Sequence, residues 1–298
     1  MQEEKDMAQL TSQVGLSLKN ILVVTDFCTP SALMYIIPFA KDSGSVIHLL
    51  HVTRPEIENA LSHADDNVKL QIENDAQRQL GALETVIATV PHKIWLREGT
   101  VWRSIEDLER SEHMDLIVVG ISNQSDFMGS GPEEVIRKAL CPVMIVGPHA
   151  STGDHAPLAQ LLYVMNLWNG SHTSLEYATQ LAIRYRSRLL LLHVVEQEES
   201  KQSDHEWLKA FRRIMRNVLP ESVANLAEEP VLRVEVARNI SARILQVADE
   251  VRTDLIVMDV ASEQAGATQS CQKLYEVISQ ASCPVLTIQR MTSDPARE

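Results

Sequence analysis

Aromatic side chains are scarce in this 298-residue chain, at 4% of positions, so the cores it buries are mostly aliphatic. Cysteine is scarce as well. Cys28, Cys141, Cys271 and Cys283 form no Cys-x-x-Cys pair, which leaves no dithiol or zinc-ribbon spacing to read. Two of the four sit directly before a proline, and all four are read as buried thiols. No apolar run approaches the length that crosses a bilayer; runs such as Leu189 to Leu192 and Leu116 to Val119 are core-strand sized. Positive charge is in short supply: 27 Lys+Arg face 40 Asp+Glu, for a net charge of −13. A chain of that balance has no basic stripe to displace counterions, which excludes nucleic acid and anionic membrane as partners. Three motifs are also absent, namely Gly-x4-Gly-Lys-Ser/Thr, Gly-x-Gly-x-x-Gly and His-Glu-x-x-His. After Met1 the chain reads Gln-Glu-Glu-Lys-Asp, unlike a secretory leader, so the expected location is cytoplasmic.

Against these absences stands one pattern written twice. Ile21-Leu-Val-Val-Thr-Asp26 returns as Leu161-Leu-Tyr-Val-Met-Asn166, and Leu50-His-Val52 as Leu192-His-Val194. Asp115-Leu-Ile-Val-Val-Gly120 returns as Asp254-Leu-Ile-Val-Met-Asp259, and Cys141-Pro-Val143 as Cys283-Pro-Val285. The offsets are 140, 142, 139 and 142, in one order, so the chain is a tandem duplication of a domain of about 140 residues. The acidic excess is uneven, −9 in residues 1–150 and −4 in residues 151–298.

Within each half, Val/Ile/Leu-rich runs alternate with segments of helical period, the pattern of βα units on a parallel sheet covered on both faces. Strands are predicted near 20–26, 45–52, 92–97, 115–120 and 142–147, with helices near 31–42, 57–89, 101–113 and 131–140. In the second half the strands fall near 160–166, 188–195, 230–236, 254–260 and 284–289, and the helices near 171–184, 203–218, 239–251 and 270–281. Residues 147–157, rich in Gly, Pro and small polar residues, read as the linker, and 1–18 and 291–298 as loosely held tails.

In an open parallel sheet, ligands lie beyond the carboxyl ends of the strands, where strand order reverses. The candidates there are Asp26 after the first strand, Val52 after the second and Gly120 after the fourth. The loop that follows Gly120 ends in Gly129-Ser130-Gly131-Pro132 at a helix start. Such a loop turns N–H groups toward a phosphate, with the Ser130 hydroxyl as a further donor. The same four residues also make an ordinary helix start, Ser130 as cap and Pro132 in the first turn, and both readings stand. His51 and His193 close the second strand of each half and read as hydrogen-bonded sheet residues, not catalysts. His48 and His51, three apart on a strand, face opposite sides and cannot share a metal.

These blocks together resemble the universal stress protein family, twice, over residues 19–147 and 159–290. The resemblance implies an α/β fold: two Rossmann-like domains of the adenine nucleotide α-hydrolase-like kind, each a five-stranded parallel sheet of order 3-2-1-4-5 flanked by helices. It also implies an adenine-nucleotide site with the signature Gly-x2-Gly-x9-Gly-Ser/Thr after the fourth strand, framed by an Asp and a Val. The first half keeps Asp26, Val52, Gly120, Gly129 and Ser130, but Asn123 stands at the second glycine and the loop is four residues short. Asn tolerates a left-handed backbone better than most residues. The second half departs further: Asn166 replaces the Asp, Asp259 replaces the glycine, and Cys271-Gln272 stand for Gly129-Ser130. A carboxylate at 259 repels a phosphate by about 1 kcal/mol or more.

Three functions follow from these residues. The first is a non-catalytic stress-response regulator whose first domain takes ATP or a related adenine nucleotide, with Mg²⁺ alongside it, the second domain serving as structural partner. The second is a slow ATP hydrolase, for which the loop offers only Asp126, with Arg137 and Lys138 late in the next helix. The third is a nucleotide-free interaction scaffold. The first is the reading adopted, with an internal pseudo-dimer, an unidentified protein partner and room for further homodimerisation.

Overall fold

A computed structural model describes residues 16, 18–25, 31–53, 66–121, 131–150, 158–165, 172–197, 213–217, 219–260 and 268–289. Both halves are βα repeats. In the first, β1 (Asn20–Thr25), β2 (Val46–Thr53), β3 (His92–Glu98), β4 (Leu116–Gly120) and β5 (Val143–Val146) alternate with α1 (Ser31–Ser43), α2 (Asp66–Ile87), α3 (Val101–Glu112) and α4 (Gly131–Lys138). In the second, β6 (Gln160–Val164), β7 (Arg188–Glu196), β8 (Val231–Ala237), β9 (Leu255–Val260) and β10 (Val285–Gln289) alternate with α5 (His172–Tyr185), α6 (Ile240–Glu250) and α7 (Thr268–Gln280).

The strands join into one ten-stranded sheet of order β3-β2-β1-β4-β5-β10-β9-β6-β7-β8. Each half therefore has the order 3-2-1-4-5, parallel throughout, and the halves meet at an antiparallel β5·β10 seam, with Val285 opposite Ile145. Predicted strand ends move by one or two residues; β2 runs to Thr53 and β7 to Glu196. Of the helix expected over 203–218, residues 213–217 are described and helical, and an unforeseen 3-10 turn follows at Glu221–Asn225.

Strand alternation explains why the sheet is covered on both faces. Ile21, Val23, Ile47 and Leu49 point to one side, where α1, α2 and α5 contribute Ile36, Leu80 and Leu181; Leu22, Leu50, Ile117 and Ile145 point to the other, against Ile105, Val135, Ile244 and Val277. Each core runs through both halves. A fully buried Ile or Leu such as Ile21 or Leu50 contributes about 1.5–3 kcal/mol. The repeated Cys-Pro-Val also finds its reason here: proline, lacking an N–H, precedes the strand, and its carbonyl enters the ladder, Pro142 accepting from Ile117 at 3.0 Å and Pro284 from Ile256 at 3.1 Å. Cys283 is buried, whereas Cys141 is half-exposed, a departure from the expected pair of buried thiols. Cys28 and the Cys271 side chain lie outside the described residues.

Candidate functional site

The helices after β1 and β2 lie on one face and those after β3 and β4 on the other, so strand order reverses between β1 and β4. Such a reversal is where an open parallel sheet has its ligand crevice, above the carboxyl ends. Val24 stands opposite Leu50 on β2 and opposite Val119 on β4. Two of the predicted site residues follow, both half-buried, on the strands that flank β1: Gly120 level with Thr25 and His51, and Val52 one row further on. Two sheet spacings, about 10 Å, separate such positions. Asp26, Asn123, Gly129 and Ser130 lie outside the described residues.

The end of β1 is pinned from the side. His51 Nδ1 bonds the Thr25 carbonyl at 2.9 Å, which requires that Nδ1 carry the proton. His193 repeats the arrangement on the Met165 carbonyl at 2.8 Å. Both histidines thus hold the first strand's last carbonyl, the structural role expected for them. The ladder is extended by Ile121 N–H on the Val146 carbonyl at 2.9 Å, which fixes the exit from Gly120.

In the second half the matching strand ends carry paired polar side chains. Asp259, at the Gly120 position, accepts a hydrogen bond from the Tyr163 hydroxyl at 3.2 Å, and Tyr163 replaces Val23 of the first half. On the other face of the sheet, Lys273 of α7 reaches Glu196 at the end of β7 at 3.3 Å. Residues 268–272, which stand for 126–130 in the Cys-Pro-Val register, are wound into α7, so their N–H groups follow the helix instead of a loop.

Two features of the first half escaped the sequence reading. Asp115, noted only as the start of a repeated block, lies at the amino end of β4, away from the crevice. Its carboxylate accepts from Lys19 N at 2.7 Å and Asn20 N at 2.9 Å, and Asp254 accepts from Gln160 N at 2.8 Å in the same way. The repeat of Asp in both blocks was the available signal, and it marks a clamp on the first strand, not a ligand contact. Glu109 on α3 is the second: buried, it accepts from Leu140 N at 2.9 Å and from the Cys141 thiol, while Oε2 has no partner. Burial pushes its carboxyl above the ordinary range, and the bonds from Leu140 and Cys141 only partly offset this. Among the described residues no group of three or more His, Cys, Asp or Glu side chains is placed to hold a metal. No described helix is long and apolar enough to cross a membrane.

The model of the universal stress protein family matches the chain twice, over residues 17–147 and 160–289. Among solved structures, a universal stress protein from Archaeoglobus fulgidus superposes with a TM-score of 0.68 at 19% identity, over 94% of this chain and 99% of the other. A functionally unknown protein from Pseudomonas aeruginosa follows with a TM-score of 0.59 at 17% identity, over 92% and 93%. A universal stress protein solved in complex with cAMP matches 45% of this chain and 98% of its own, at 16% identity and a TM-score of 0.34. No curated protein sequence matches.

Proposed function

The chain belongs to the universal stress protein family, and from that premise we propose that it is a non-catalytic regulatory protein with one adenine-nucleotide site, in the first domain. The observation that carries this reading is the contrast between two crevices of one ancestry. In the first, the strand ends present Val52 and a side-chain-free Gly120; in the second, the glycine position carries Asp259, bonded to Tyr163, and Lys273 pairs with Glu196 at the neighbouring strand end. Val52 is half-exposed at the strand end and offers an apolar edge to a base. In this reading Asp26 accepts from a sugar or base and Asn123, Gly129 and Ser130 donate to phosphates, with Mg²⁺ accompanying ATP. The second domain serves as structural partner, and nucleotide occupancy of the first changes the surface seen by a protein partner in the cytoplasm.

The test is the nucleotide released by acid from freshly purified protein, together with the heat of binding on adding ATP and Mg²⁺. Wild type should hold adenine nucleotide near one per chain and hydrolyse it no faster than buffer does. Gly120→Asp, which copies the second domain, should abolish binding, while Asp259→Gly should leave it unchanged. An empty wild type that also gives no binding heat overturns the reading and leaves a nucleotide-free scaffold.

A further inference from the structure

The first half buries a polar assembly on the side of the sheet that carries α3, unrelated to the crevice. His48 of β2 is fully shielded from solvent. Trp95, on the edge strand β3, donates its indole N–H to His48 Nδ1 at 3.2 Å, with the two ring planes within 6° of parallel. An indole only donates, so Nδ1 is the acceptor and the ring proton sits on Nε2. Nε2 then donates to Asn20 Oδ1 at 3.2 Å, and Asn20 Nδ2 donates to the carbonyls of Glu112 at 2.9 Å and His113 at 3.5 Å. The donors run one way, from the outermost strand through β2 and β1 to the end of α3. Only a neutral His48 satisfies every member.

We propose that His48 is a proton-operated clasp on the outer strand of the first half. When a proton from solvent occupies Nδ1, the imidazolium N–H faces the indole N–H, donor against donor, and the side-chain tie between β2 and β3 is broken. Among the described residues β3 has a ladder partner on one side only, β2, so with the tie broken the strand is held across the sheet by that one backbone ladder.

The surrounding charges set the direction. Burial, followed by the Lys93 ammonium, lowers the proton affinity of His48, and Glu112 opposes them. Lys93 and Glu112 pair with each other at 2.6 Å, which limits what either field contributes. On the same face stand Arg97, which lies over the Trp95 ring, Glu109 of α3, bonded to Leu140 N, His113 at the end of α3, and Asp115, bonded to the backbone of Asn20; strand alternation turns His51, His92 and Glu98 to the other face, and α3 also carries Arg103, Glu106, Asp107 and Arg110. The folded state thus binds this proton less tightly than the unfolded chain. Its stabilising effect is complete above the ordinary histidine value near 6.5 and is lost as pH falls below it toward the folded value.

The second half carries no such clasp, which makes it an internal reference. In ladder register, Leu190 stands at the His48 position, Gln160 at that of Asn20 and Arg233 at that of Trp95. Arg233 there bonds Glu235 at 2.6 Å and Glu250 at 2.7 Å. Burial alone would raise the Glu235 carboxyl, but Arg233 and Arg243 hold it below the usual range, so this network survives mild acid.

Hydrogen–deuterium exchange of the full-length protein at about pH 7.5 and about pH 5, corrected for intrinsic exchange rates, tests the clasp. Protection of residues 92–98 should fall by about tenfold or more on acidification, the scale of a cooperative local opening, while residues 231–237 keep theirs. His48→Leu, which installs the second half's residue, should remove the difference; should that variant not fold, His48→Gln, which donates and accepts without titrating, carries the same comparison. The indole N–H resonance of Trp95, assigned through Trp95→Phe, should shift with the titration of the His48 ring. Unchanged protection of β3, a loss that persists in the His48 variant, or an indole resonance that ignores the titration would each overturn the proposal.

Discussion

Gly147, the residue after β5, shows what a single hydrogen atom in place of a methyl group permits. A Cβ there would overlap the carbonyl oxygen of Ile278 in α7, on the other half of the molecule. Gly147→Ala should therefore lower the unfolding free energy by about 1–3 kcal/mol, the usual cost of forcing a methyl into a packed contact, as read from the urea midpoint. Asp115 makes the opposite case, in which a side chain is indispensable. Asp115→Ala strands the Lys19 and Asn20 amide groups and should cost about 1–3 kcal/mol, measured the same way. Glu109 supplies a pH signature. Its folded value lies above the unfolded one, chiefly through burial, so the folded state is favoured in acid and its stability declines as pH rises from about 4 through the folded value. Glu109→Gln should flatten that slope, which denaturation curves collected across the range will reveal. Sequence made Asp115 visible as a repeated letter but not as a clamp, because its partners lie 95 and 96 residues away. His48 was legible only as the wrong spacing for a metal; its meaning depends on Trp95 and Asn20, which three strands bring together.

At the level of elements, the alternation of β and α and the five strands of each half were readable because apolar runs and helical periods are local properties. Strand ends were less so: β2 continues to Thr53 because its ladder with β3 extends to Glu98, a contact that no local pattern encodes. The site splits along the same line. Val52 and Gly120 were placed correctly at strand ends, since the fourth and second strands are marked by their own hydrophobic runs. The Asp259 position in the second domain was only half foreseen: its carboxylate was recognised as unfavourable for phosphate, but Tyr163, one strand away, could not be tied to it without the sheet. The network of Arg233, Glu235, Arg243 and Glu250 joins β8 to α6 through two contacts, Arg233–Glu250 at 2.7 Å and Arg243–Glu235 at 3.0 Å, with one further pair within each element. Its members are about a quarter exposed, so Arg243→Ala should lower stability by only about 1 kcal/mol, and high salt should shrink the difference between the two proteins.

Taken whole, the molecule is held by contacts that cross its own midline. Arg184 pairs with Asp42, Phe39 packs on Tyr185 with ring centroids 5.1 Å apart, and Thr287 donates to the Val143 carbonyl at 3.0 Å. Tyr35 feels the same crossing: burial first, then Cys283 and Asp254 of the opposite half, push its hydroxyl up to about 12. A fragment of residues 1–150 would expose the β5 edge, and should pair with a second copy through it, antiparallel, as a dimer in sedimentation. This seam was inferable from the repeat only by resemblance, since four residues of β5 carry no mark of their antiparallel neighbour. Seam contacts also differ at corresponding positions: Gly147 meets the Ile278 carbonyl, whereas Gln289, its counterpart, donates its side-chain amide to the Ile136 and Arg137 carbonyls. In an assembly of identical subunits any substitution at such a place arrives on both sides of the axis at once. Here each side can drift alone, and the ratio of the two kinds of half is one to one at any dilution and any level of synthesis. Covalent joining thus frees heredity to specialise one half without risking the other, a division of labour that a reversible homodimer could not maintain.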